Sequence, residues 1–476
     1  MLGTRRSSYH THTMSVPEPS GSAPTSFPGP LEARREPDWP DAVAVCRTLL
    51  SELIAIESSN PPGRELDAAR YLEARLAREG IQGRTFEAAP GRGNFVARLK
   101  GSGRKRPLIL LGHLDVVGVQ RRQWHGDPFQ MEERAGFLYG RGVIDDKGMV
   151  AAEAMTLILL RRLGVPLDRD VLLLAECDEE AGGQLGVAWM LEHHRDAIEA
   201  EYAINEGGRT QVTNGRVAWI GLQNSEKRGV NYTLTATGVA GHASMPRPDN
   251  CIVRLARAIE RVIDPPFPVA MTPVTRAFFR AIAGAEPPAM RAAMERLQDP
   301  IAADEGSEAL AGDPMFGAML RHTVSPTIVT GGERANVIPA STEAKLNCRL
   351  LPGTHPEAFR SALEARVRDP AVRVSFDPPK RPESPTMPFE GPVVEAVRGV
   401  AARLMPGAPV VPLLSTGATD SAQLRNAGIA AYGLLPFPLT SDDAGRMHGD
   451  DERMPVASLA TGLRFLYGVT AALAGA

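Results

Sequence analysis

Hydrophobic residues recur every three or four positions in several stretches of the chain, and this spacing predicts amphipathic helices. The first such stretch begins near Asp41 and ends before Pro61. Ala69–Leu76 and Met149–Leu163 repeat the pattern. Gly164 directly follows the third stretch, in the position where glycine commonly ends a helix.

Short apolar runs of strand length lie between these predicted helices. Phe95–Leu99, Leu108–Leu111 and Val171–Leu174 contain almost only hydrophobic residues. A wholly apolar strand is typical of a sheet that is covered on both faces. Because such strands alternate with helices, the pattern predicts an α/β domain with a mainly parallel central sheet.

The pattern changes after Ser225, where Tyr232, Leu234 and Ala236 alternate with threonines as in a half-exposed strand. The following order is strand-helix-strand-strand-helix-strand, which predicts an inserted α+β module of the ferredoxin-like type. We therefore predict five segments, which are a disordered tail (1–37), the first part of the α/β domain (38–226), the inserted module (227–377), a helical insertion within it (about 265–325) and the second part of the α/β domain (378–476).

Composition narrows the functional classes. A chain of 476 residues is too long for one ordinary core. Its net charge of -3, without long charged runs, gives no electrostatic support for binding nucleic acid or an anionic membrane. No window is expected to reach the apolar length of a membrane span. The 4 cysteines are not clustered, which favours free thiols in a reducing cytoplasm.

Polar side chains follow the predicted strands at their ends. His113 and Asp115 come directly after Leu108–Leu111, and two residues apart in an extended chain they face the same side. Carboxyl ends of parallel strands are where open sheets bind ligands. Asp115 is a candidate to orient a metal-binding His113. A loop histidine with ordinary hydrogen bonds is the alternative.

Two further acidic segments lie beside predicted elements. Asp145 and Asp146 stand in a glycine-rich turn before a helix, where adjacent carboxylates repel unless a cation neutralises them. An aspartate-rich helix N-cap would explain the same residues. Glu179 and Glu180 follow Val171–Ala175, and two neighbouring carboxylates permit one to bind metal and one to move protons. A solvated acidic turn is the alternative.

Glu206 follows the short strand Tyr202–Ile204, and His448 lies in a polar loop far downstream. Neither residue is informative alone. Together, two histidines and three carboxylates, most of them at strand ends, match a site for two divalent cations.

With these motifs the chain resembles the co-catalytic zinc metallopeptidase family of aminoacylases, carboxypeptidase G-type enzymes and succinyl-diaminopimelate desuccinylases. The resemblance covers roughly Val43 to the C-terminus and includes the stretch Trp124–Phe129. It implies a zinc-exopeptidase-type catalytic domain with an inserted lid or dimerisation domain.

The resemblance also implies roles for individual residues. His113 and Glu206 would bind one zinc ion, Glu180 and His448 would bind the other, and Asp145 would bridge both. The peptide bond after Asp145 is typically cis in the family. Asp115 would orient His113, and Glu179 would be the general base.

The resemblance also assigns roles to four further residues. His242 of Gly241–Pro246 would reach the partner's active site in a dimer and stabilise the oxyanion. Asn336 and Arg349 would hold a substrate carboxylate, for which a guanidinium is well suited. A structural ion pair of Arg349 within the lid stays open as an alternative. Gly417 would belong to a glycine-rich substrate loop.

The expected activity is hydrolysis of an amide bond in a small peptide or N-acyl amino acid with a free carboxylate. Glu206 favours such substrates, because family members acting as carboxypeptidases or deacylases commonly have glutamate there. A dipeptidase and a non-catalytic metal-binding protein are the alternatives. The expected cofactor is Zn²⁺, two ions per chain, although Co²⁺ or Mn²⁺ suit the same ligands. A homodimer through the lid domain is a further expectation.

Overall fold

The computed structural model describes residues 36–299 and 301–476, so the predicted tail lies almost wholly outside the described residues. The strands are β1 (Gly83–Ala89), β2 (Arg92–Leu99), β3 (Leu108–His113), β4 (Glu132–Arg134), β5 (Phe137–Tyr139), β6 (Val171–Glu176), β7 (Tyr202–Asn205), β8 (Arg209–Thr213), β9 (Arg216–Glu226), β10 (Arg228–Thr237), β11 (Gly241–His242), β12 (Thr323–Thr330), β13 (Val337–Ile338), β14 (Ser341–Leu350), β15 (Val372–Phe376), β16 (Val410–Ser415), β17 (Ala430–Gly433), β18 (Pro438–Leu439) and β19 (Arg453–Pro455). The helices are α1 (Trp39–Ala55), α2 (Glu65–Ala77), α3 (Lys147–Arg162), α4 (Val187–His193), α5 (Arg195–Ile198), α6 (Cys251–Ile263), α7 (Pro273–Ile282), α8 (Pro288–Arg296), α9 (Ala303–Leu310), α10 (Pro314–Met319), α11 (Pro356–Val367), α12 (Pro392–Leu404), α13 (Ser421–Asn426), α14 (Ser441–Ala444) and α15 (Val456–Ala474).

The large sheet is parallel at its centre and mixed towards its edges, where β16 pairs parallel with β9 and β18 pairs parallel with β8. Strands β6, β3, β7 and β17 run parallel to one another in that order. The outer strands β1 and β2 pair antiparallel, as do β8 and β9 on the other side. The predicted α/β fold with its central parallel strands is confirmed, and the carboxyl ends of β3, β6 and β7 meet at one edge.

Both faces of this sheet are covered, as the apolar runs predicted. On β3, Leu108 and Leu110 pack into one hydrophobic cluster with α1, α3, α12 and α15. Ile109 and Leu111 point to the opposite face and pack with residues of α4, α5 and α13. Alternate residues of a strand face opposite sides of a sheet, so a strand buried on both sides must be apolar throughout.

Helix α15 corrects the expectation that no segment has the composition of a membrane span. By length and composition alone, this helix could cross a membrane, since its mean hydropathy is 1.4 over 18 residues. However, 67% of these 18 residues are buried inside the protein, and the helix packs on α3 and α12. This burial is typical of a core helix.

The inserted module forms a second sheet in the order β12-β14-β10-β15, with every neighbouring pair antiparallel. Helices α6 and α11 pack on one face of it, around Tyr232, Leu234 and Phe359. The order of elements along the chain is the predicted strand-helix-strand-strand-helix-strand. We call this unit, β10 to β15 without α7–α10, the lid. The residue boundaries of the domains remain a prediction.

The helical insertion consists of α7–α10 and packs against the large sheet, although its sequence lies within the lid segment. Phe278 and Phe279 of α7 lie in one cluster with Trp219 of β9 and with Val411 and Leu413 of β16. The insertion therefore extends the core of the α/β domain and stands beside its carboxyl-end edge.

Candidate metal centre

His113 lies at the end of β3 with its side chain almost fully buried. Its Nε2 is 2.9 Å from Oδ1 of Asp145. Its Nδ1 is 2.9 Å from the carbonyl oxygen of Asp115 and 3.5 Å from Oδ1 of the same residue. Asp115 thus holds the ring on one side, and the opposite nitrogen faces Asp145.

The Asp115 side chain also connects two loops. Its carboxylate accepts hydrogen bonds from Nδ2 of Asn60 at 2.8 Å and from the backbone N–H groups of Glu179 and Glu180 at 3.1 Å each. The acid that holds the His113 ring therefore also positions the loop that carries Glu179 and Glu180.

Asp145 lies in the glycine-rich turn before α3, and its peptide bond to Asp146 is cis, as the resemblance predicted. Gly142 in this turn has a φ of +89°, which a residue with a side chain rarely adopts. Asp146 occupies the N-cap position of α3 but makes no side-chain capping hydrogen bond. The alternative of an ordinary aspartate N-cap does not describe this turn.

Glu452 holds the turn in place, and sequence reasoning missed it. Its carboxylate is fully buried and accepts from Nη1 of Arg141 at 2.8 Å. It also accepts from the backbone N–H groups of Gly142, Ile144 and Asp145 at 3.0, 2.8 and 3.1 Å. Its position four residues after His448 was the one available signal.

The three acids after β6 have different surroundings. Asp178 pairs with Arg92 at 3.0 Å and accepts from the backbone N–H of Leu185, so it stabilises the loop. Glu180 faces His448, whose Nε2 is 3.2 Å from Oε1 of Glu180 and 3.0 Å from Oδ2 of Asp145. A solvated acidic turn does not fit, because the Glu179 and Glu180 side chains are buried.

Two overlapping groups of ligand atoms result from this folding. His113, Asp145 and Glu180 form one group, and His113, Glu179 and Glu206 form the other, with ligand atoms within 4.8 Å of one another in each. His448 joins through its contacts to Asp145 and Glu180. The structure thus brings all five sequence-predicted ligands and Glu179 into one cluster.

The electrostatics of the cluster reflect its concentrated negative charge. The Asp145 and Glu180 carboxylates raise the pKa of His448 to about 10. Burial, reinforced by Asp145, raises the pKa of Glu206 to about 8. Burial opposes the charged form of His113, but Asp115 and Asp145 raise the pKa of this imidazole well above its usual value. Carboxylates and imidazoles that share protons in this way can release those protons when a cation binds.

The donor set fits divalent metal ions. Imidazole nitrogen and carboxylate oxygen are ligands of zinc and of similar borderline ions. Oε1 of Glu180 is buried and lies 3.2 Å from Nε2 of His448, so two candidate ligand atoms approach each other where a cation could bind between them. The residues present therefore fit a metal centre.

Arg381 is a second residue that sequence reasoning missed. Its Nη2 donates to Oε1 of Glu179 at 2.6 Å, and its Nε donates to Oδ1 of Asp420 at 2.8 Å. Gly183 approaches Asp420 so closely that an added Cβ would collide with the carboxylate. No sequence motif marks Arg381, because its partners come from two distant loops.

A pocket of about 550 Å³ opens above the cluster. Arg349 and Gly417 line it, together with Glu179, Glu206 and His448. No carboxylate forms an ion pair with Arg349 among residues 36–299 and 301–476, so the alternative of an ion pair within the lid finds no support there. His242 and Asn336 are exposed and lie outside the pocket lining.

These two residues are neighbours on the lid. Strand β11, which contains His242, pairs with β13, and the backbone N–H of Ala243 donates to the carbonyl of Asn336. Within a single chain, the structure therefore separates His242 and Asn336 from the other predicted site residues.

Comparison with known proteins identifies the family. The sequence profile described as "Peptidase family M20/M25/M40" matches residues 109–472, well over half of the chain. The chain belongs to this family.

Relatives within it include the N-fatty-acyl-amino acid synthase/hydrolase PM20D1 of Xenopus tropicalis, 29% identical over 73% of this chain and 69% of that protein. Mouse aminoacylase-1 is 25% identical over 90% of this chain and 95% of its own length. The M20 family metallo-carboxypeptidase Sso-CP2 from Sulfolobus solfataricus shares the fold, with a TM-score of 0.68 at 19% identity and coverage of 90% and 98%. This M20 chain is accordingly a hydrolytic enzyme with a candidate metal site.

Proposed function

We propose that this M20 hydrolase cleaves the amide bond of a small N-acyl amino acid or peptide that carries a free carboxylate. The observation that carries the proposal is the position of Glu179. This carboxylate lies beside the His113 and Glu206 ligand atoms, in a pocket whose wall also includes Arg349. A general base, a metal-binding cluster and a carboxylate-binding cation thus share one cavity.

The metal component of the proposal is two Zn²⁺ ions per chain, with Co²⁺ or Mn²⁺ as possible replacements. His113 and Glu206 would hold one ion, Glu180 and His448 the other, and Asp145 would contact both. When bound, such ions lower the pKa of water to about 7 and polarise a carbonyl oxygen.

Glu179 would accept the proton of the attacking water and return it to the nitrogen of the leaving amine. Burial raises the pKa of Glu179 well above its usual value, which favours a carboxylate that can take up a proton. Arg381 holds Oε1 of Glu179 and is a positioning residue for this transfer. Asp115 contributes by fixing both the His113 ring and the backbone of Glu179.

Arg349 is proposed to bind the substrate carboxylate. It lines the pocket and has no carboxylate partner within the described ranges, so its guanidinium can accept an anionic ligand. The name of the relative PM20D1, an N-fatty-acyl-amino acid synthase/hydrolase, is consistent with this substrate class. A dipeptidase is the second candidate and would additionally require a free substrate amine.

We also propose a homodimer formed through the lid. Ile328 and Val329 of the edge strand β12 are 56% and 63% exposed, so both sides of the strand are uncovered at these two positions. Val337 is also exposed, beside Asn336. An exposed apolar edge strand is a surface that normally pairs with another chain. In such a dimer His242 and Asn336 would complete the partner's pocket.

The decisive experiment replaces the proposed base. Glu179→Gln keeps the shape of the side chain but removes its basicity, so turnover of N-acyl amino acids and dipeptides should fall by about 10²-fold or more. Metal content per chain, measured by mass spectrometry, should stay unchanged. The exposed Glu192→Gln is the matched control and should keep full activity.

Retention of most activity in Glu179→Gln would contradict the role of Glu179. A wild-type protein that binds metal yet hydrolyses no substrate of the panel would favour the non-catalytic alternative.

A further inference from the structure

A second cavity of about 320 Å³ lies beside the metal pocket, between the helical insertion and the large sheet. We call it the side compartment. Its walls include Trp219 of β9, Met290 of α8, and Met315 and Phe316 of α10. The helical insertion, for which the sequence indicated no role, therefore builds one wall of a cavity next to the candidate active site.

The side compartment adjoins the metal pocket directly. Four residues line both cavities, namely Arg209, Met315, Ala444 and Gly445. Arg349, the proposed carboxylate-binding residue, lines the metal pocket but not the side compartment. A substrate held by Arg349 can therefore extend past the metal cluster and enter the side compartment with its other end.

The polar groups of the side compartment are largely engaged by the protein itself. Gln211 donates to Ser441 and to the carbonyl of Val212, and its oxygen accepts from Nε of Arg209. The Asp313 carboxylate caps the start of α10. Trp219, Met290, Met315 and Phe316 supply indole, thioether and phenyl groups to this wall, beside Thr213, Glu286 and small residues.

Glu286 is the half-buried acid of the side compartment, and burial, with a further contribution from Asp313, raises the pKa of its carboxyl group. Methionine side chains are flexible and adapt their packing to apolar ligands of different shape. An unbranched hydrocarbon chain needs no hydrogen-bond partner and matches these walls.

We propose that the side compartment binds the acyl chain of an N-acyl amino acid, and that it favours long chains over short ones because each additional buried methylene strengthens binding. The inference rests on the proposed function, because it assigns the two ends of that substrate. The carboxylate lies at Arg349, the scissile amide at Glu179 and the metal cluster, and the acyl chain between β8, β9 and the helical insertion.

The test measures kcat/KM for N-acetyl-, N-butanoyl-, N-octanoyl- and N-dodecanoyl-phenylalanine with the metal-loaded enzyme. Each methylene that becomes buried should raise kcat/KM by about fourfold until the compartment is filled. Met290→Trp should fill the compartment and reduce the octanoyl-to-acetyl ratio of kcat/KM by at least about tenfold. Met271→Trp is the matched control, since Met271 is a half-buried methionine of the insertion segment that does not line the cavity.

A binding measurement provides a readout independent of turnover. N-octanoyl-phenylalanine added to Glu179→Gln should change the tryptophan fluorescence, and the additional substitution Trp219→Phe should abolish most of that change. Of the four tryptophans of the chain, only Trp219 lines this cavity.

Three results would overturn the inference. The first is that Met290→Trp leaves the dependence of kcat/KM on chain length unchanged, and the second is that Met271→Trp changes it equally. The third is a higher kcat/KM for N-succinyl than for N-butanoyl substrates, which would indicate that Arg209 binds an anionic acyl group. Failure of the proposed function would give a different result, because the enzyme would then hydrolyse no substrate of the series, not even the N-acetyl compound.

Discussion

Replacement of Glu452 by alanine tests whether a residue without metal contact maintains the metal centre. The Glu452 carboxylate is fully buried and forms an ion pair with the nearly buried Arg141. The same carboxylate accepts three backbone N–H groups of the turn that carries Asp145. The substitution therefore leaves one charged group and three backbone donors without their partner.

The expected magnitude follows from these contacts. Removing one partner of a buried ion pair costs about 3–5 kcal/mol, because the remaining charge stays desolvated. We therefore expect Glu452→Ala to reduce the free energy of unfolding of the chelator-treated protein by about that amount. Substitutions of residues that orient metal ligands typically weaken metal binding by about 10–100-fold, and the same range is expected here.

Urea unfolding monitored by circular dichroism measures the first effect, and zinc titration against a competing indicator measures the second. Asp450→Ala is the control, since Asp450 is an exposed acid of the same loop. The double variant Arg141→Met/Glu452→Met should recover part of the lost stability, because it removes the unpaired charge. An unfolding midpoint and zinc affinity of Glu452→Ala equal to wild type would refute this account of the turn.

Zinc added to the chelator-treated protein at pH 8 should release at least one proton per chain, because the pKa of His448 is raised to about 10 and its imidazole holds a proton that the metal displaces. Metal affinity should accordingly rise with pH up to about 10, and His448→Ala should release fewer protons in an indicator assay; no measurable release would contradict the ligand assignment. Arg381→Met should lower kcat/KM by about 10–100-fold with metal content unchanged, and Arg381→Lys should recover part of the loss; wild-type kinetics in Arg381→Met would exclude a positioning role. Ile328→Asp should convert the proposed dimer into a monomer in analytical ultracentrifugation, and a wild-type protein that sediments as a monomer at all concentrations would contradict the lid interface.

The sequence by itself determined those features that depend on local patterns. The apolar runs at Leu108–Leu111 and Val171–Leu174 predicted strands buried on both faces, and the structure confirms them in the large sheet. His113, Glu180 and Glu206 could be selected because a parallel sheet gathers the residues that follow its strands at one edge. Asp145 could be selected from its glycine-rich turn and from the resemblance to the family. The order of elements in the lid could also be predicted from local patterns, because helices and strands have different hydrophobic periods.

Tertiary structure alone decided the features that depend on pairing between distant segments. Glu452 meets the turn of Asp145 across more than 300 residues, and Arg381 meets Glu179 across 202 residues. No local hydrophobic periodicity predicts such a contact, because the contact depends on where whole elements pack. The same holds for the segment of about 265–325, which was predicted as a helical insertion without any indication that Trp219 and Leu413 would be its packing partners. Hydrophobic spacing specifies that a face is buried, whereas the packing of the complete chain specifies what buries it.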